Sequence, residues 1–96
     1  MSKVIETAVS AIAARLPGGF ADGVAKFTIP GEGSVVVDSQ GVHAGDDVAD
    51  VELTATAEVF EQLLAGEIGA AAAFMTGKLK VDGSMGLAMK LGALLA

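Results

Sequence analysis

The chain predicts an α+β domain: a five-stranded, mainly antiparallel sheet covered by helices. Two observations carry this. Apolar residues recur at helical spacing near the N-terminus, alternate along short segments from Ala25 to Ala55, and then return mostly to helical spacing, so strands and helices are largely segregated. Pro-Gly and Gly-rich clusters fall between the alternating segments, where turns are required. Ninety-six residues make a single domain, 1–96, with no linker, repeat or low-complexity tract inside it.

Lys3 to Leu16 reads as an amphipathic helix. Val4, Ile5, Ala8, Val9, Ile12 and Leu16 share one side, Ser2 is the N-cap, and Pro17-Gly18-Gly19 ends it. Ala25, Phe27 and Ile29 alternate with Lys26 and Thr28, a half-buried strand. Pro30-Gly31-Glu32-Gly33 turns the chain into Ser34–Asp38, where three consecutive valines favour a strand shielded on both faces. Ser39-Gln40-Gly41 leads to a short Val42–Ala44 strand, and after Gly45-Asp46-Asp47 the residues Val51, Leu53 and Ala55 alternate again. These four strands read as an antiparallel meander.

A second helix is expected over Ala57–Ala65, with Thr56 as N-cap and Gly66 as the C′ residue. Val59, Phe60, Leu63 and Leu64 face inward. Ile68–Met75 gives a short third helix of small residues, and Lys78–Asp82 a fifth strand with Leu79 and Val81 inward. The last helix is apolar around most of its circumference. At 100° per residue, Leu87, Leu91, Leu94 and Leu95 fall on one arc and Met85, Met89, Gly92 and Ala96 on the next, leaving Gly86, Lys90 and Ala93 on the wet side. A terminal helix with one apolar stripe needs no further cover; this one has a second sector to hide, against another chain or an apolar ligand. Gly86 and Gly92 each cost it ~1 kcal/mol relative to Ala, which suits a crowded contact or space for a guest.

Composition removes several function classes. There is no cysteine, hence no disulfide, thiolate metal site or cysteine catalysis. A net charge of −6 argues against nucleic acid and permits at most transient membrane contact. Mean hydropathy is high at +0.60, yet the longest apolar run, Ile68–Met75, falls far short of the ~20 residues that cross a bilayer. Glu6 and Arg15 interrupt any signal-peptide core, and a cytoplasmic protein is expected. Asp46, Asp47 and Asp50 read as a solvated acidic turn, and no metal or cofactor is expected. His43, the single histidine, has Ser34, Ser39 and Asp38 nearby in sequence but no nucleophile-elbow context, so no catalytic residue is assigned.

The segment Gly77-Lys-Leu-Lys-Val-Asp-Gly-Ser-Met-Gly-Leu-Ala-Met-Lys-Leu91 resembles the C-terminal signature of the sterol carrier protein 2 family, the nonspecific lipid-transfer proteins. Thr54–Gly66 is similar to the strand, acidic helix and Gly that precede that signature, and Asp50–Leu53 to the strand before it. The resemblance implies a five-stranded sheet with helices enclosing an apolar tunnel, and lipid binding without turnover. The absence of a peroxisomal-type terminus, the short C-terminus and the lack of tryptophan in the second strand suit a compact prokaryotic-type member carrying acyl chains rather than sterol.

The expected ligand-binding wall is Phe60, Leu64, Phe74, Met75, Met85, Met89 and Leu95, because methionine and aromatic side chains adapt to guests of varied shape. Lys78, Lys80 and Lys90 are candidate head-group contacts for a carboxylate or an acyl-CoA phosphate. The expected partner is a fatty acid, fatty acyl-CoA or other apolar lipid. The alternative is an interaction or accessory module whose terminal helix packs on a second copy, as a homodimer, or on a partner enzyme.

Overall fold

The structure, a computed structural model, describes residues 2–95. Helix α1 (Lys3–Arg15) begins where the Ser2 side chain accepts a hydrogen bond from the Ile5 amide, and it buries Ile5 and Ile12, two turns apart. Strands β1 (Ala25–Ile29), β2 (Gly33–Asp38), β3 (Gly41–Ala44) and β4 (Val51–Thr54) follow, then α2 (Ala57–Leu64), α3 (Ala70–Met75), β5 (Lys80–Gly83) and α4 (Met85–Leu95). The predicted element order is the observed one. Leu79 lies just before β5 and is buried.

The five strands form one sheet in the order β3-β2-β1-β4-β5. Three pairings are antiparallel, but β1 and β4 pair in parallel, with Ala25 opposite Val51 and Phe27 opposite Leu53. The expected four-stranded antiparallel meander is therefore corrected: it stops at β3, and β4 joins the far edge of β1. Crossing three strand spacings takes about 14 Å, within the roughly 20 Å that the six residues of segment 45–50 can reach.

That crossing forms a strap over the outer face of the sheet. The Gly45 amide donates to the Ser34 carbonyl (3.1 Å) and the Asp50 amide to the Val24 carbonyl (2.8 Å). Lys26 Nζ meets Asp46 Oδ1 at 2.8 Å, and this bond, more than the neighbouring carboxylates Glu52 and Asp47, raises the Lys26 pKa above its ordinary 10.5. Val36, in the middle of β2, is fully buried while Gly45 lies against it. The valine triplet is thus shielded on both faces, as its sequence implies, with a loop as the second cover.

The helices all lie on the other face. Ala25, Phe27, Ile29, Val35, Val37, Val51 and Leu53 present one apolar surface, since partners across the ladder share a face. Helix α1 covers β2 and β3, and α4 covers β4 and β5. Phe60 of α2 meets Phe27 edge to face, with ring centroids 5.6 Å apart.

Helices α2 and α3 end alike. The Gly66 amide bonds to the Leu63 carbonyl and the Glu67 amide to that of Gln62; Gly77 and Lys78 repeat the pattern on Phe74 and Ala73. This 5→2, 6→1 arrangement needs a left-handed C′ residue, and both glycines supply it, at φ +76° and +78°. Helix α4 buries Ala88, Leu91 and Leu95, and Ser84 Oγ accepts from the Leu87 amide at its start. Leu94, which shares an apolar arc with Leu87, Leu91 and Leu95 by sequence, is half exposed, because the part of that arc facing the sheet is centred on Leu91 and Leu95. Ala96 lies outside the described residues.

Candidate functional site

A cavity of about 320 Å³ lies between the sheet and the C-terminal helices. Phe27, Leu53 and Val81 form its floor because the register sets them side by side on β1, β4 and β5. Phe60 and Leu63 of α2 close one side. Gly66, Ile68 and α3, through Ala70, Ala71 and Phe74, form another, and Met85, Ala88, Met89, Gly92, Ala93 and Leu95 of α4 complete the wall. None of these lining residues is charged.

The void follows from side-chain size. Helix α3 opens with four alanines and is preceded by Gly69, so little volume projects from it toward the sheet. It also approaches α4 closely: a Cβ on Gly92 would stand 2.8 Å from the Ala70 Cβ, whereas one on Gly86 would meet no atom nearer than 3.9 Å. The crowding that glycine in this helix suggests exists at Gly92 alone.

Of the wall residues expected from sequence, Phe60, Phe74, Met85, Met89 and Leu95 line the cavity together. Leu64 does not; it borders a second, more open groove of about 490 Å³ between α1 and α2, with Val4, Ala8 and Ile29. Met75 points away and is 83% exposed. Lys78 and Lys80 are exposed and line neither space, and Lys90 stands 3.7 Å from Asp22, an exposed pair worth little. Phe60 is common to both spaces and separates them.

Sequence reasoning named none of the floor as ligand wall, although alternation had placed Phe27, Leu53 and Val81 inward. It also passed over Arg15, whose Nε donates to the Leu95 carbonyl (3.0 Å) and whose Nη2 donates to the Leu64 carbonyl. One guanidinium thus holds the C-terminal ends of α2 and α4, where the helix dipoles favour a cation. His43 lies on β3 far from this chemistry: its Nε2 is 3.2 Å from Asp47, while the Ser34 hydroxyl pairs with Thr28 on the outer face. The cavity can hold an apolar guest and offers it no charged group.

Known proteins share this arrangement. The crystal structure of a sterol carrier protein 2 like 2 from Aedes aegypti superposes with a TM-score of 0.76 at 26% identity, covering 94% of each chain. The solution structure of sterol carrier protein 2 from Aedes aegypti in complex with palmitate gives 0.75 at 25% identity, covering all of this chain and 97% of that one. Among curated proteins, peroxisomal multifunctional enzyme A of Dictyostelium discoideum is 45% identical over 65 residues, 68% of this chain and 14% of that protein. Human sterol carrier protein 2 is 43% identical over 61 residues, 64% of this chain and 10% of that protein. The chain thus matches only a small part of these curated relatives' length. The family model described as the SCP-2 sterol transfer family matches residues 13–96. With that match, and a sheet and helices that superpose on solved members, the chain belongs to the SCP-2 sterol transfer family.

Proposed function

We propose that this chain carries a lipid with a long acyl chain, a fatty acid or fatty acyl-CoA, without chemical turnover. The observation that carries this reading is the uncharged cavity between the sheet, α3 and α4. Its volume, about 320 Å³, is at the lower end of the ~300–1,000 Å³ of small-molecule sites. A C16 chain therefore enters with rearrangement of the rim, where Met85 and Met89 have three rotatable bonds each. About fourteen buried methylenes contribute ~11 kcal/mol, and association costs ~4–15 kcal/mol, so affinity approaching the micromolar range is attainable at the low end of that cost. No polar motif is needed for that, and the lining holds none.

With no cation among the described residues of the wall, the head group is left at the mouth in water, which suits acids and thioesters alike. The palmitate bound by the Aedes aegypti relative supports the choice of guest. The much longer curated relatives support a variant of the same reading, in which the domain hands its guest to an enzyme.

Native mass spectrometry of the purified protein, followed by solvent extraction, tests the reading. One lipid per chain, or one-to-one uptake of a fluorescent fatty acid by the emptied protein, is the expected result. A protein that neither holds nor takes up an acyl chain overturns it.

A further inference from the structure

Strand β5 is an edge of the sheet, and its backbone groups can be sorted by the strand they serve. In β4 the Val51 amide donates to the Val24 carbonyl (3.3 Å), and just beyond it the Ala55 amide donates to the Thr28 carbonyl (3.2 Å). Backbone groups alternate sides along a strand, so Val51, Leu53 and Ala55 bond β1, while Glu52 and Thr54 face β5. Their ladder partners are Asp82 and Lys80, and the Ser84 amide continues the same ladder at the Asp50 carbonyl (3.0 Å). Val81 therefore points its amide and carbonyl outward, where no backbone group among the described residues bonds them. The regular edge is short. The Leu79 amide is taken by the Ala73 carbonyl, and Gly83 leaves the extended region at φ +97°.

The charges along this edge are unbalanced. Val81 lines the cavity floor, so Lys80 and Asp82 stand on the opposite face of the sheet, both exposed. Asp82 lies directly across the ladder from Glu52, a like-charge pair, and neither Lys80 nor Asp82 enters an ion pair among the described residues. From this we infer that two copies of the chain pair through their β5 edges, antiparallel about a two-fold axis at Val81. Outward backbone groups must meet outward groups, so Val81 of one copy can stand opposite Val81, Leu79 or Gly83 of the other. Opposite Val81, the pairing sets Lys80 of each copy across from Asp82 of the other and brings a cation beside each Glu52–Asp82 repulsion. Either shifted register sets Lys80 against Lys80 or Asp82 against Asp82. The charges thus select one register and disfavour its neighbours.

The helix side adds apolar contact. The bond from Leu79 to Ala73 holds the end of α3 at the start of β5, and α4 begins just after β5 ends. Antiparallel pairing therefore brings Phe74 of one copy toward Met85 of the other, side chains that are 42% and 43% exposed. The two cavity floors come side by side through Val81. So short an edge buries less than the ~1,200 Å² of a standard interface, which makes the dimer a weak one. The pairing stands whether or not the cavity carries an acyl chain.

Sedimentation equilibrium of the full chain from about 10 μM to 1 mM, at low salt, tests the inference with Lys80→Glu, Asp82→Lys and the double variant, each checked for fold by circular dichroism. The wild type is expected to approach a dimer and go no further. Each single substitution sets like charges in both pairs and is expected to weaken the dimer about tenfold or more. The double variant exchanges the charges and is expected to restore it. Mixing the two single variants is expected to give a heterodimer, since each supplies the charge the other lacks. In hydrogen exchange the Val81 amide is expected to slow as concentration rises, while the amides of Lys80 and Asp82, already bonded to β4, do not change. A wild type that stays monomeric throughout overturns the inference. So does a dimer indifferent to the single substitutions, or one that leaves the Val81 amide unprotected, since either puts the contact elsewhere. A loss that neither the double variant nor mixing repairs overturns it too, as does assembly that continues past the dimer, the sign of β5 joining the β3 edge of another copy.

Discussion

Replacing Phe60 by alanine tests the cavity at its most informative wall. The ring is 6% exposed, sits edge-on to Phe27 at 5.6 Å, and separates the cavity from the α1–α2 groove. Phe→Ala in a filled core costs ~3–5 kcal/mol, of which an edge-to-face pair accounts for about 0.5–1.5 kcal/mol. Here two sides of the ring already face open space, so fewer contacts are lost and the expected cost is near the lower bound, ~3 kcal/mol. In a domain of this size each kcal/mol moves Tm by about 4–8 °C, so Tm falls by ~12–24 °C. Urea unfolding followed by far-ultraviolet circular dichroism measures the difference, since the chain has no tryptophan or tyrosine to report by fluorescence. On the proposed carrier reading, palmitate at a hundred times its dissociation constant is expected to stabilise the wild type by ~2.7 kcal/mol. It is expected to stabilise the variant more, because the guest fills the space the ring vacates and the gap between the two proteins narrows. Phe60→Leu, which keeps most of the volume, is expected to cost under ~1.5 kcal/mol. A loss below ~1 kcal/mol for Phe60→Ala, or a gap that palmitate leaves unchanged, would refute the account of Phe60 as a packed partition beside the guest.

Gly92→Ala gains about 1 kcal/mol of helix propensity but sets a Cβ 2.8 Å from that of Ala70; overpacking at ~1–3 kcal/mol wins, and adding Ala70→Gly is expected to recover the loss in a double-mutant cycle read by urea unfolding. Thr56→Ala removes the acceptor of the Val59 amide, a long bond at 3.3 Å, and is expected to cost ~0.5–1 kcal/mol, read as a lower urea midpoint with unchanged slope. The Lys26–Asp46 contact gives alkaline sensitivity. Because the folded-state pKa is raised from 10.5, its contribution is fully present below that value and is lost as pH rises through the folded pKa. Asp46→Asn is expected to flatten the stability profile in that range, and a profile unchanged by the substitution would show that the strap is held by its backbone bonds alone.

The elements most legible from sequence were those whose signals are local. Ser2 and Thr56 cap the helices they were assigned, Gly66 takes the left-handed conformation expected of it, and alternation placed Phe27, Leu53 and Val81 on one face. Pairing partners are not local. Nothing in Val51–Thr54 says which edge it will join, so the parallel β1–β4 seam was missed, and with it the strap that buries Val36. The cavity was legible as an excess of apolar surface on the last helix, but its wall was not fully so. Helical phase put Met85 and Met89 beside Leu95, whereas Leu64 turned to α1 and Met75 to solvent, because the angle at which a helix is set on a sheet decides which of two neighbouring apolar side chains is covered. Arg15 carried no signal at all: its partners are carbonyls 49 and 80 residues away.

The β1–β4 seam divides the molecule along a line that matters during folding. Strands β1, β2 and β3 are joined by tight turns and zip by local contacts, while β4 must find β1 across more than twenty residues of chain, and β5 and α4 can dock only once it has. The N-terminal helix and three strands are thus expected to form one cooperative unit, with the cavity wall from α3 to α4 added to it late. What assembles last opens first under native conditions. Amides of β5 and α4 are expected to exchange with solvent by partial opening while those of β1 and β2 wait for global unfolding, so the cavity wall can loosen without dismantling the half of the protein that supports it.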